Sequence, residues 1–280
     1  MNAPADDRRT GMAHALQAMA AIVQRELLKF SRQTGRLASA LVRPLLWLAV
    51  FAAGFRNVFG VAVNEPYDTY IPYDVYIAPG LVGMVLLFNG MQSSLAMVYD
   101  REMGLMRLLL TAPLPRWWIL FAKLTATAVL SLAQAAAFVA VAAALGTVLP
   151  VFGPQTPMVA LAAVSAALML GALGLLLSVH IKQLENFAGT MNFVIFPMYF
   201  MSTALYPLWK LEEAGAGWVY QIARFNPFTH AVEWMRFALY GKDPGISPYV
   251  VLATLALCFA LAAWGYDPQR GFGALTKRGG

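Results

Sequence analysis
Residues 158–179 read MVALAAVSAALMLGALGLLLSV, an apolar run with no charged side chain. A helix needs about 20 such residues to cross the roughly 30 Å of hydrocarbon in a bilayer, because each residue advances it by only about 1.5 Å. Working outward from this run, five more stretches of similar character appear. They are Leu37 to Phe55, Ile77 to Val98, Trp118 to Leu145, Phe187 to Tyr206 and Pro248 to Tyr266. The composition agrees: of 280 residues, 60% are hydrophobic and 12% charged, where a soluble domain carries roughly 25% charged residues. The chain therefore reads as an all-α integral membrane protein with six transmembrane helices, and a water-soluble globule is excluded.

Six spans put both termini on one side of the membrane. Fifteen of the 20 Lys and Arg residues fall on that side and five on the other. The short outer connections are the most telling. The segment from Gly60 to Tyr76 holds Glu65, Asp68 and Asp74 without a base, and Leu149 to Pro157 holds no charge. Because cytoplasmic segments retain Lys and Arg, both the N- and the C-terminus are expected to be cytoplasmic. The formal net charge of +6 then reports topology, with the lipid bilayer and no nucleic acid as the partner it implies.

Ahead of the first span, Leu16, Met19, Ala20, Val23, Leu27, Leu28 and Phe30 recur near helical spacing with Arg25, Lys29 and Arg32 between them. This is the pattern of an amphipathic helix on the inner membrane surface, serving either to anchor to anionic lipid or to dock a cytoplasmic partner. No signal-peptide pattern precedes it. The expected organisation is a cytoplasmic tail with this interface helix over 1–36, a six-span domain over 37–266 and a basic cytoplasmic tail over 267–280.

Catalytic signatures are missing from the sequence. No Walker A loop, His-Glu-x-x-His or Gly-x-Ser-x-Gly pattern occurs, and His14, His180 and His230 are far apart. Cys258, the single cysteine, sits in an apolar run and reads as packing. The chain is expected to have no catalytic site, metal or cofactor of its own.

Three clusters remain. The inner loop over 99–117 contains Asp100-Arg101-Glu102-Met103-Gly104-Leu105-Met106-Arg107, then Leu109, Leu110, Pro113 and Arg116, with Lys123 beyond. Leu105, Leu108 and Leu109 share a helical face, so the segment is expected to lie flat under the membrane and present its charges to a cytosolic surface. The second cluster is Pro197-Met198-Tyr199-Phe200-Met201-Ser202-Thr203, ending at Pro207. Pro197 removes a helix hydrogen bond, and Ser202 and Thr203 can bond nearby carbonyls instead. The third, within the outer loop 207–245, is Asn226-Pro227-Phe228-Thr229, with Glu233 and Arg236 three residues apart. Pro227 suits a helix start, and Glu233 and Arg236 can pair along one face. That helix is too short to span and is expected to re-enter the outer leaflet before the last span.

In order and spacing these clusters resemble the permease subunits of ABC transporters of the type-2 exporter family, with Arg43-Pro44-Leu45-Leu46-Trp47 matching the start of that family's first span. Leu105 stands for a threonine, Ala122 for a glycine before the lysine, and Thr203 for a glycine. The resemblance implies a permease in the bacterial cytoplasmic membrane that exports a hydrophobic or amphipathic substrate. It also implies a second permease copy, and a separate ABC ATPase subunit that binds ATP and Mg. Asp100, Arg101, Glu102, Gly104, Leu105, Arg107 and Pro113 would form the ATPase-coupling segment. Pro197, Ser202 and Thr203 would belong to the pathway or its gate, and Asn226, Pro227, Glu233 and Arg236 to re-entrant helices over the exit. The alternative from another class is a non-transporting six-span scaffold or assembly factor.

Two features stay open at this level. Arg43, about 10 Å beyond Arg36 along a helix, either snorkels inward or faces a polar cavity, where it joins the pathway candidates. Tyr67, Tyr70, Tyr73 and Tyr76, at intervals of three, form either an interfacial aromatic belt or a lip that stacks substrate.

Overall fold
The computed structural model of the chain describes residues 5–32, 34–51, 62–63, 71–104, 115–147, 149–181, 183–213 and 215–266. These residues are nearly all helical. Helices α1 (Ala5–Ser31) and α2 (Thr34–Phe51) come first, followed by a two-residue antiparallel ribbon of β1 (Ala62–Val63) and β2 (Ile71–Pro72), with Ala62 opposite Pro72 and Val63 opposite Ile71. Then come α3 (Tyr73–Glu102), α4 (Arg116–Ala144), α5 (Thr156–His180) and α6 (Leu184–Phe200). Three short helices, α7 (Leu208–Glu213), α8 (Gly217–Phe225) and α9 (Pro227–Leu239), precede α10 (Ser247–Gly265).

Among the described residues four helices, α3, α4, α5 and α10, are long and apolar enough to cross a membrane. They match four of the predicted spans, and α3 extends its span at both ends. Its first turn carries Asp74, whose charge complements the positive helix N-terminus, and the Thr147 hydroxyl bonds that carboxylate at 3.2 Å. The other two predicted spans look different. The 18 residues of α2 include Arg36, Arg43 and Pro44, and the last part of that span, 52–55, lies outside the described residues.

Helix α6 stops at Phe200 after 17 residues, short of the expected Tyr206. Pro197 lacks the N–H that would continue the ladder, and at Met201 the backbone leaves the helical region with φ −96° and ψ 52°. The Ser202 hydroxyl then donates to Tyr199 O at 2.6 Å and accepts from Ala204 N at 3.2 Å, closing a turn where another helical turn would have been.

Helix α5 is the centre of the bundle, packed against α3, α4, α9 and α10. Its approach to α3 is close because side chains are absent at the crossing. A Cβ on Gly174 would lie 2.8 Å from Gly90 O, and one on Gly90 would lie 3.0 Å from Leu170 O. In a membrane, helices cohere by such close packing more than by expulsion of water. Leu86, Leu87, Met91 and Phe138 fill the surrounding core and are completely buried.

The two tyrosines of the series that fall among the described residues are interior. Tyr73 and Tyr76 belong to the first turn of α3 and are 7% and 2% exposed, so neither is a belt nor a lip; Tyr67 and Tyr70 lie outside the described residues. The chain enters α3 directly from the ribbon, and the two rings turn inward with it.

Replacing Gly174 by Leu is expected to destabilise the bundle by about 1–3 kcal/mol, the range for forced overpacking, read as a lowered unfolding midpoint in detergent. Gly189→Ala, at a position with no atom within 4 Å, is the control that should leave the midpoint unchanged.

Candidate functional site
At the end of α3 three consecutive charges take three different directions, because successive residues of a helix point about 100° apart. The Asp100 carboxylate is 1% exposed. It is reached by Lys29 Nζ of α1 and Lys123 Nζ of α4, each at 3.4 Å, and by Arg25 Nη2 at 3.9 Å. Arg25 and Lys29, four residues apart, share one face of α1. A buried carboxylate needs such partners, and here one anion also holds three cations that would otherwise repel each other.

Arg101 donates to Ser178 O at 3.0 Å and to Ile181 O at 2.6 Å. These are carbonyls at the negative end of α5, where a cation is favoured. Glu102 Oε1 accepts from Leu184 N at 2.8 Å. Leu184 begins α6, whose own N-cap residue, Gln183, supplies no side-chain cap. Glu102 therefore caps α6 from another helix, with its negative charge at the positive helix end. Gly104, at φ +71°, makes the turn that follows.

The geometry corrects the expectation that these charges face the cytosol. Asp100 is buried and Arg101 half-buried, while Glu102 is exposed yet already bonded to α6. Arg25 and Lys29, read as basic residues of a surface helix, turn toward Asp100. Trp118 Nε1 adds a second tie to that helix by donating to Ala15 O at 3.0 Å. Leu105, Arg107 and Pro113 lie outside the described residues.

At the opposite end of α3 the other two motifs meet. Where α6 breaks off, its last carbonyls lose their helical partners, a costly situation away from water. Side chains supply the donors. Asn226 Nδ2 reaches Met198 O and Met201 O, both at 2.8 Å. Ser202 takes Tyr199 O, and the Tyr206 hydroxyl takes Phe200 O. Arg236 Nη2 bonds Thr203 O at 2.8 Å, and the Tyr73 hydroxyl bonds Leu205 O at 2.7 Å.

Asn226 has a second task, since its Oδ1 accepts from Phe228 N at 3.0 Å as the N-cap of α9, which starts at Pro227. Arg236 is 1% exposed. It pairs with Glu233 at 2.6 Å, as the spacing predicts, and its Cζ lies 4.0 Å from the Tyr76 ring centroid. Ser202 and Thr203 are completely buried. The Thr203 hydroxyl, in contrast to that of Ser202, makes no hydrogen bond among the described residues.

Between the two ends, Arg43 of α2 settles over the Phe88 ring with Cζ 4.0 Å from its centroid. It is exposed and borders a small pocket that also holds Asn89, Gln92 and Gln134. Sequence reasoning missed these amides and the partners of Asp100. The signal available for the amides was a polar residue inside an apolar run; for Lys29 and Arg25 only the fold supplies it.

A family model described as ABC-2 type transporter matches residues 17–240, a range that includes both clusters. The chain is 29% identical over 237 residues to a protein of Porphyra purpurea described as transport permease ycf38, covering 84% of this chain and 78% of that protein. A ycf38 protein of Cyanophora paradoxa is 30% identical over 230 residues, covering 79% and 74%. The inner membrane transport permease YadH of Escherichia coli (strain K12) is 22% identical over 236 residues, covering 83% and 88%.

Asp100→Asn removes the carboxylate charge that Arg25, Lys29 and Lys123 share. It is expected to cost about 3–5 kcal/mol, as for a broken buried pair, seen as loss of monodisperse protein in detergent. Lys29→Gln, at a side chain 30% exposed, should cost no more than about 1 kcal/mol. At the other end, Asn226→Ala leaves two carbonyls and an N-cap without their partner and is expected to cost about 1–3 kcal/mol in the same measurement.

Proposed function
The chain belongs to the ABC-2 type transporter family and is a membrane transport permease, and from that premise we propose that it is the membrane subunit of an ATP-driven exporter. It moves a hydrophobic or amphipathic substrate outward across a bacterial cytoplasmic membrane. ATP and Mg are bound by a separate ATPase subunit, and this chain contributes the pathway. Helices α2 and α6 complete six spans with α3, α4, α5 and α10, both termini are cytoplasmic, and α8 and α9 dip back into the outer leaflet.

The observation that carries this reading is the fan of contacts at Asp100, Arg101 and Glu102. The ATPase docks on the segment that follows, through Gly104, Leu105, Arg107 and Pro113. Any displacement of that segment reaches α1, α4, α5 and α6 together, because each is tied to the end of α3. At the outer end, the break at Pro197 and the turn at Ser202 and Thr203 are held by Asn226 and Arg236. Helices α6 and α9 then move as one gate, with Pro227 and Glu233 fixing the start and the pairing of α9.

Exposed apolar faces support a second copy. Phe193, Phe196 and Phe200 are 79%, 48% and 36% exposed on α6, and Val42, Leu46 and Val50 are 51%, 60% and 61% exposed on α2. Their spacing puts each set on one helix face, and a homodimer would bring these faces around the route. Nucleotide binding by the partner can shift this assembly only through contacts that differ between its two states.

The test is to tag the chain, extract it gently and identify what co-purifies. A stoichiometric ATPase subunit is expected. Arg107→Glu should reduce its recovery at least about tenfold, a loss of about 1.4 kcal/mol, while the permease stays monodisperse. A scaffold would instead yield no ATPase in any mild detergent and no nucleotide-dependent activity in its membranes.

A further inference from the structure
We propose that the pocket beside Arg43 receives the headgroup of an anionic amphipathic substrate; the inference rests on the permease reading above and deepens it. The pocket lies midway along α3, with Asn89 and Gln134 buried at its back and Arg43 exposed at its rim. Asn89 stands 16 residues from the start of α3 and 13 from its end, about 24 Å and 20 Å along a helix, so the pocket is near the middle of the membrane. An ionisable side chain at that depth is costly and marks a functional route far more often than a packing site.

Three polar groups converge there with unmet hydrogen-bonding capacity. Arg43 makes no hydrogen bond or ion pair among the described residues, and its one close partner is the Phe88 ring. Gln92 likewise has no hydrogen-bond partner among them. Gln134 is 2% exposed, and its Oε1 is buried without a donor.

The orientation of Gln134 is fixed from behind. Its Nε2 donates to Asn89 Oδ1 at 3.3 Å, Asn89 Nδ2 donates to Ser131 Oγ at 2.6 Å, and the Ser131 hydroxyl donates to Thr127 O at 2.8 Å. That chain of donors fixes the amide and leaves its carbonyl without a donor among the described residues, beside one uncommitted Nε2 hydrogen. No carboxylate lines it, so the guanidinium charge has no counter-ion among the described residues. The missing partner is therefore a group with a negatively charged oxygen for Arg43 and an O–H for Gln134. A singly protonated phosphate monoester or a hydroxy acid has both.

The enclosed space is about 10 Å³, room for an oxygen or a water rather than a molecule. The rest of the ligand must extend outside, and an aromatic track leads away from the pocket. Phe88 meets Phe196 edge-on at 6.5 Å, Phe196 stacks on Phe200 at 6.2 Å, and Phe200 meets Trp47 at 5.8 Å. Phe196 and Phe200 belong to the exposed face of α6. In a homodimer joined there, two guanidinium groups would border one low-dielectric space, and their repulsion would increase the demand for an anion.

The experiment uses the full-length chain in nanodiscs of zwitterionic lipid. It follows tryptophan quenching by bromododecyl phosphate and, for comparison, by bromododecyl trimethylammonium. The wild type should bind the phosphate saturably and about 10- to 100-fold tighter than the cation, the range of a charge-assisted hydrogen bond. Arg43→Gln should abolish that preference and Arg43→Lys should keep part of it, since lysine retains the charge but not the planar fork. If Arg43→Gln is not monodisperse, Gln92→Leu combined with Gln134→Leu provides the test and should weaken phosphate binding with Arg43 in place.

Equal binding of the two probes by the wild type, or undiminished phosphate preference in Arg43→Gln, overturns the site. Co-purification of the ATPase is scored in the same preparations and separates the two readings. No preference in a wild type that retains its ATPase defeats the site alone, whereas a clear preference without any ATPase upholds the site and defeats the exporter.

Discussion

A helix that ends away from water leaves carbonyl groups without partners, and the protein must supply the donors from side chains. Much of this structure follows from that requirement at the end of α6. Pro197 and the departure at Met201 set free a short series of carbonyls, and Asn226, Ser202, Tyr206, Arg236 and Tyr73 each take one or more of them. The donors come from α3, from α9 and from the turn itself. This end of the bundle is thus held by directional bonds and not only by apolar packing, which in lipid has little solvent-expelling force behind it.

The opposite end solves the complementary problem of charge. Asp100, Arg101 and Glu102 are each matched to an opposite charge or helix terminus: cations of α1 and α4 for Asp100, the carbonyl end of α5 for Arg101 and the amide end of α6 for Glu102. Both clusters are therefore connected through α3, whose residues Tyr76 and Asp100 lie about 36 Å apart along the helix. Helix α6 is fixed at its start by Glu102 and at its finish by Asn226. The two clusters are thus joined by a continuous series of named contacts.

Much of this was legible in the sequence. Long apolar runs, interrupted by a charge only at Lys123, mark α3, α4, α5 and α10 because length and hydropathy are local properties. The start of α9 at Pro227 and the Glu233–Arg236 pair follow from spacing alone. The premature end of α6 was half visible: Pro197 was read as a weak point, but the apolar run continues to Tyr206, and only tertiary donors make stopping at Phe200 affordable. The direction of the Asp100–Glu102 charges was misread for a related reason. A charged triplet beside a loop reads as solvent-facing until the fold places Lys29, seventy-one residues away in sequence, against it. Asn89, Gln92 and Gln134 went unremarked because single amides barely alter the hydropathy of a long run. Their significance arises only when three helices bring them, with Arg43, to one depth.

The claim that most needs testing is that the end of α3 and the start of α6 move as one body. Met103 and Asn186 are both exposed and flank the Glu102–Leu184 bond, and Cys258 is the single cysteine, so Cys258→Ser gives a clean background for spin labels at 103 and 186. Pulsed electron–electron distances should be measured on the assembled complex with and without ATP and Mg. The account predicts one narrow distance distribution, the same in both conditions and broadened by Glu102→Ala. A distribution that shifts with nucleotide in the otherwise unaltered chain, and is indifferent to Glu102→Ala, would contradict it.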